Sequence, residues 1–197
     1  GQNPQYSVEI SNVVTNTVNY TEPAGYEGSD YYWTGLGTDT SDWTDKKNWT
    51  VVESDTSKFP VAYPGEKKDS TVTFPSTISS ALTLQNVQLG DSSLNLEITN
   101  SSAESLTLTL ASGAAFNNVT INSGKITVKG NFSVSSLTNA GSLTVATITS
   151  CQSLTNNDGS IEADSITADS VFSNSTIKTQ NLSVSDIKFG NESTKAG

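Results

Sequence analysis

Along the second half of the chain, aliphatic and small polar residues alternate in short bursts. The bursts recur with a period of about 16–18 residues. Cut after its Gly- or Asn-marked breaks, the chain reads "KITVKGNFSVSSLTNAG" (125–141), "SLTVATITSCQSLTNNDG" (142–159), "SIEADSITADSVFSNS" (160–175) and "TIKTQNLSVSDIKFGN" (176–191). Two looser lines, 81–103 and 104–124, precede them. Alternation puts every second side chain on one face of a strand. The first bursts are Ile126/Val128, Leu143/Val145, Ile161/Ala163 and Ile177 with the polar Thr179. The second are Phe132/Val134, Ile148 with Cys151 nearby, Ile166/Ala168 and Leu182/Val184. The third positions are Leu137, Leu154, Phe172 and Ile187/Phe189.

Strands of three or four residues bury too little to stand alone. Stacked line on line, they form three parallel sheets around a narrow aliphatic core. The pattern therefore predicts an all-β fold, a parallel β-helix (β-solenoid) of about six short coils. Asn and Gly at 123–124, 139–141 and 157–159 are expected to take left-handed backbone at the corners. An antiparallel sandwich is the competing arrangement. It wants turn signals every 8–12 residues or so and a more aromatic core, and the near-constant period favours the solenoid.

Texture divides the chain into three parts. Residues 1–30 are polar, with one alternating run, Tyr6, Val8 and Ile10, that reads as a strand. Residues 31–75 hold all three Trp, and 76–197 carry the repeats. In the middle part, Tyr31, Tyr32, Trp33, Trp43 and Trp49 admit two readings. As a cap they cover the apolar end and open strand edge of the first coil. As a binding surface they offer flat rings with polar handles to a sugar.

The order Trp33-Thr34-Gly35, Asp42-Trp43, Asn48-Trp49, Pro64-Gly65 and Asp69, ahead of the strand Thr71-Val72-Thr73-Phe74, resembles a segment of bacterial cell-surface proteins. There it precedes parallel β-helix repeats, as in autotransporter passenger domains and filamentous-haemagglutinin-like adhesins. The stretch "LTNAGSLTV" (137–145) is similar to the repeats of those adhesins. The resemblance implies a protein secreted by a bacterium or held on its surface, with an adhesive or structural role. It carries over no binding residue. The residues given hold no membrane anchor and no translocator barrel, a departure from a complete adhesin of that kind.

Charge narrows the partners. The net charge is −10, and every basic residue is Lys. Phosphate recognition needs clustered Lys and Arg, so nucleic acid is not an expected partner. No apolar run is long enough to span a bilayer as a helix, and no membrane insertion is expected within this chain. The single cysteine, Cys151, excludes an internal disulfide and reads as a small buried hydrophobe.

Catalysis finds few candidates. Without His there is no Ser–His triad and no His-ligated metal. Paired carboxylates remain, since glycoside hydrolysis needs only two. Glu162 and Asp164, however, alternate with the core-facing Ile161 and Ala163 and point outward, and Asp158 and Asp169 have no apolar wall in sequence. Asp39, Asp42 and Asp45 in "DTSDWTD" form a candidate calcium site, although the spacing is not that of an EF-hand loop. Nothing calls for another cofactor. The Asn-x-Ser/Thr triplets, at Asn48 and Asn131 among others, are frequent at this composition and say little about glycosylation.

The sequence thus leads to a non-catalytic, secreted or surface-exposed stalk or adhesin. Its expected partner is a host or cell-surface glycan or protein. A carbohydrate-binding or carbohydrate-active module using the Trp-rich segment is the alternative. The last coil's edge further suggests end-to-end self-association.

Overall fold

The structure is a computed structural model and describes residues 24–88 and 94–190. The strand expected at Tyr6, Val8 and Ile10 lies outside the described residues. The chain forms a parallel β-solenoid of about five turns. Its strands are β1 (Asp30–Trp33), β2 (Trp49–Thr50), β3 (Ser70–Phe74), β4 (Leu82–Val87), β5 (Asn95–Asn100), β6 (Leu106–Leu110), β7 (Ala115–Ser123), β8 (Lys125–Asn139), β9 (Ser142–Asn156), β10 (Ser160–Ser173) and β11 (Ile177–Phe189). Each line from 125 onward folds as one long strand bent by irregularities of register, not as three strands parted by loops. The bends fall between Val128 and Asn131, between Ser133 and Ser136 and between Ile166 and Ala168. The looser first line is split, with β4 and β5 on either side of residues 89–93, which are outside the described set.

The ladders follow the alternation. Ile126, Leu143, Ile161 and Ile177 stand side by side, as do Val128, Val145, Ala163 and Thr179. Phe132, Ile148, Ile166 and Leu182 form the second column, and Cys151 lies against Ala168, which lies against Val184. All the aliphatic members up to β10 are buried. Like residues at like positions recur because each coil offers its neighbour the same width of core. The third column needs a correction at one place. It runs Leu137, Leu154, Val171, Ile187, and Phe172 instead pairs with Thr155 and Lys188. Alternation decides this, since Val171 and Ser173 are the inward residues of that burst.

The corners also differ from expectation. Gly124 (φ +92°) and Asp158 (φ +61°) take left-handed backbone, whereas Gly141 and Gly159 are not among the residues with positive φ. Gly159 is required by proximity. A Cβ there would stand 2.5 Å from Asn139 Nδ2 and 2.7 Å from the Gly141 carbonyl oxygen. Asn139 and Asn156 do not turn the chain either. Both side chains are buried inside the coil and form a ladder along its axis. Asn139 Nδ2 donates to Asn156 Oδ1 (3.0 Å) and to the carbonyls of Gly141 and Ser160. Asn156 Nδ2 donates to Ser173 Oγ (3.1 Å) and to the carbonyls of Gly159 and Thr176. Each amide so bonds carbonyls of its own corner and of the next coil, and adds a second donor to the Gly141 and Thr176 carbonyls, which also accept from the Ser160 and Ile161 N–H groups.

Cys151 is buried and unpaired, and its Sγ lies 3.2 Å from the Ser153 carbonyl, to which it donates. Burial pushes its thiol up to about 11, from 9.0. It packs as a small hydrophobe, with its proton in place at neutral pH.

The first coil is covered by the aromatic segment. β1 adds to β3 in parallel, and β2 turns back antiparallel along β1. The parallel ladder therefore ends at β1 in a short reversed strand, one way of blunting an edge. Trp49 is fully buried at the centre, with Tyr31, Trp33, Trp43 and Phe74 around it at ring-centroid distances of 6.4, 5.2, 4.9 and 5.6 Å. All four contacts are edge-to-face, the arrangement that aromatic quadrupoles favour.

Candidate functional site: the aromatic end

The residues of the Trp-bearing motif hold one another in place. Trp43 Nε1 donates to the Pro64 carbonyl (3.0 Å) and Trp49 Nε1 to the Trp43 carbonyl (3.0 Å). Asn48, also fully buried, donates through Nδ2 to the carbonyls of Asp39 and Asp42 and accepts from the Gly37 N–H. It closes the loop between β1 and β2 into a compact unit. Thr34 Oγ1 donates to the Lys47 carbonyl, and the Gly65 N–H donates to Ser70 Oγ. Asp69 accepts from both the backbone and the side chain of Asn95, so it fastens the cap to β5. Burial also removes Asn48 from the exposed Asn-x-Ser/Thr triplets.

Of the aromatic candidates, Tyr31, Trp43 and Trp49 present no face to solvent. Burial pushes the Tyr31 hydroxyl upward, against a smaller opposing effect of its hydrogen bond with Ser70. Trp33 is 8% exposed, and Tyr32, which alternation turns outward, is half-buried. The sequence placed these five together, and the structure does so too, with only Tyr32 and the edge of Trp33 open to a ligand.

The three candidate calcium ligands each take part in a local turn. Asp39 accepts from the N–H and hydroxyl of Ser41, Asp42 from those of Thr44, and Asp45 from the Lys47 N–H. These are local turns in which a carboxylate receives the backbone two residues on. The Ser41 hydroxyl, followed by its N–H, holds the Asp39 carboxyl below the usual carboxylate range. Asp55 does the same with Ser57, again the hydroxyl before the N–H. Among the described residues, no group of three His, Cys, Asp or Glu side chains is placed to hold a metal ion.

Among the described residues the surface has open depressions, three of which bear on the candidates. The largest, about 430 Å³, lies beside the cap and is lined by Tyr32, Trp33, Glu53, Thr73, Pro75 and Ile78, with further Thr residues around them. A second, about 330 Å³, lies on the coils and includes Lys129, Glu162 and Asp164. A third, about 300 Å³, includes Asp69, Asn95 and Glu97. Glu162 and Asp164 are exposed, as the alternation requires. The interior void beside Phe116 and Phe132 measures about 10 Å³, too little for a ligand. Sequence reasoning missed the groove at Tyr32, because Glu53, Thr73 and Ile78 come from three separate stretches and no spacing links them.

Comparison with protein-family models, with curated proteins and with solved structures finds no match to this chain.

Proposed function

We propose that the protein is a non-catalytic stalk or adhesin, secreted by a bacterium or held on its surface. A host or cell-surface glycan or protein is its partner. The observation that carries this reading is the regular stacking of the coils. Their core is aliphatic, and their outward faces are Ser, Thr, Asn and a few charges. Such a rod separates whatever sits at its two ends and displays hydrogen-bonding surface along its length. The outward carboxylates Glu162 and Asp164 are both exposed, in an open dip on the coils. A general acid of raised pKa wants burial, so this arrangement favours display over turnover.

The test is location and attachment together. Antibody against this chain should label intact cells of the source bacterium, and label confined to permeabilised cells would overturn the surface assignment. Beads coated with the chain should adhere to host cells or to a cell-wall preparation. Adhesion no greater than that of uncoated beads would leave only the structural half of the reading.

A further inference from the structure

We propose that the groove beside Tyr32 and Trp33 binds a neutral saccharide of about two rings. This gives the adhesive half of the function a ligand class and rests on that reading for its biological use.

The first ground is the contrast between committed and uncommitted polar groups at the aromatic end. The indole N–H groups of Trp43 and Trp49 both reach carbonyls, whereas that of Trp33 has no acceptor among the described residues. No buried side-chain nitrogen or oxygen there lacks a partner, so the Trp33 N–H keeps access to solvent. Gly35 stands beside it. A Cβ at Gly35 would lie 3.3 Å from Trp33 Nε1. Thr34 and Thr50 spend their hydroxyls on the Lys47 and Asp55 carbonyls. The Tyr32 hydroxyl, the Glu53 carboxylate and the hydroxyls of Thr56, Thr73 and Thr77 line the same groove and make no hydrogen bond among the described residues. Donors and acceptors are thus left open around a concave surface.

The second ground is the apolar part. The Tyr32 ring, the Trp33 edge, Pro75 and Ile78 share the groove with those polar groups. Tyr32 is held by the ladder on both sides, next to Thr50 on β2 and Thr73 on β3. Its backbone is therefore fixed before a ligand arrives, which lowers the ordering cost of binding. A ring with an apolar C–H face and equatorial hydroxyls matches this mixture of aromatic, aliphatic and hydroxyl groups.

Charge selects among saccharides. Glu53 is the sole carboxylate of the lining and no Lys joins it, on a chain of net charge −10. Sialylated, uronic or phosphorylated sugars would meet repulsion. The single carboxylate also falls short of the pair that glycoside hydrolysis employs, so the sugar is held and not cleaved.

The test is NMR titration of the isotope-labelled chain with lactose, cellobiose and N,N′-diacetylchitobiose, each to about 20 mM, a range that reads millimolar dissociation constants. At least one should give saturable shifts at the Trp33 indole N–H and in strands β1 and β3, while the Trp43 and Trp49 indole signals stay. Tyr32→Ala and Glu53→Gln should each weaken that sugar by about tenfold or more, with melting curves like the parent's. The proposal is overturned if none of the three gives a saturable shift, or if the shifts persist unchanged in both variants. Binding of 3′-sialyllactose as tight as that of lactose would overturn the neutral assignment. Cell-surface labelling fails or succeeds independently of all these outcomes, so the two readings can be told apart.

Discussion

The two ends of the described solenoid are built from different residues and end up with different burial. At the first coil, β1, β2 and the rings around Trp49 cover Val72 and Phe74, and both are fully buried. At the last coil, no strand among the described residues pairs with the outer edge of β11. Its core positions repeat those of the coils before it, yet Leu182 is 43% exposed and Phe189 72%. The same pattern that buries Leu154 completely on β9 leaves Ile187, its ladder mate on β11, 36% exposed. Burial in such a molecule is conferred by the neighbouring coil and not by the residue. The N-terminal end needed a separate composition, with all three Trp, because a coil pattern alone leaves its outer side open.

The sharpest way to break this contrast is to remove the centre of the cap. Trp49→Ala deletes a fully buried ring that touches four others, and a loss of about 3–5 kcal/mol is expected in urea unfolding. Because each coil contacts only its neighbours, the damage should be graded. Hydrogen exchange should quicken first in β1, β3 and β5, with β9 and β10 still protected. Equal loss of protection from β1 to β10 would mean that the ends are coupled and that the nearest-neighbour account is wrong.

The middle of the rod offers the next test. Asn156→Ala removes an amide that ties three coils together, taking that donor from the Gly159 carbonyl and Ser173 Oγ and one acceptor from Asn139, while the Thr176 carbonyl keeps the Ile161 N–H. Unsatisfied buried groups of this kind cost about 1–3 kcal/mol. The exposed Asn174, whose amide bonds Asn157 and Asp158 at the surface, should tolerate the same change within about 0.5 kcal/mol. A similar cost at both positions would show that the ladder's burial adds nothing.

Most of the coil was legible from the sequence because its rule is local. Two-residue alternation and a steady period are enough to place Ile126, Leu143 and Ile161 in one column. The rule fails where two residues compete for one slot. Phe172 is larger and more apolar than Val171, but parity of the strand, not hydrophobicity, decides which one faces in. Asn139 and Asn156 read as corner residues, since Asn favours turns. Their inward ladder depends on carbonyls from other coils, which no single line of sequence displays. The cap's location was legible from its aromatic density. Its interior was not, because Asn48 and Pro64 bind the Trp-bearing loop through backbone groups that carry no sequence signature. The groove at Tyr32 was out of reach for a related reason: its lining is assembled by strand pairing.

Cys151 gives a smaller effect, set by pH. Its thiol is raised by burial to about 11, from 9.0. An unfolded chain loses that proton more readily, so the contribution is neutral below about pH 9 and becomes destabilising as pH rises from there to about 11. At pH 10 the difference is about 1.4 kcal/mol, one unit of unequal ionisation. The burial of Tyr31 acts in the same direction, so the measurement is the change in stability between pH 8 and pH 10 for the parent and for Cys151→Ala. The variant should lose less over that range. Parallel curves would show that the thiol is open to water and that the coil around it is looser than the ladder implies.

The smallest effect is expected at the far end, and its value lies in the pairing. Leu154 and Ile187 occupy one column, two coils apart. Leu154→Ala empties a fully enclosed site and should cost about 2–5 kcal/mol. Ile187→Ala removes a side chain already partly in water, so it forfeits less transfer energy and leaves no closed cavity; a cost under about 1 kcal/mol follows. If the two costs are equal at low protein concentration, the outer edge of β11 is covered within the chain. If the cost at Ile187 grows with protein concentration, a second molecule covers it, since association stabilises the folded state by mass action. A small cost at every concentration means that the last coil stands open, and that the whole difference between the ends of this rod is the presence of a neighbour.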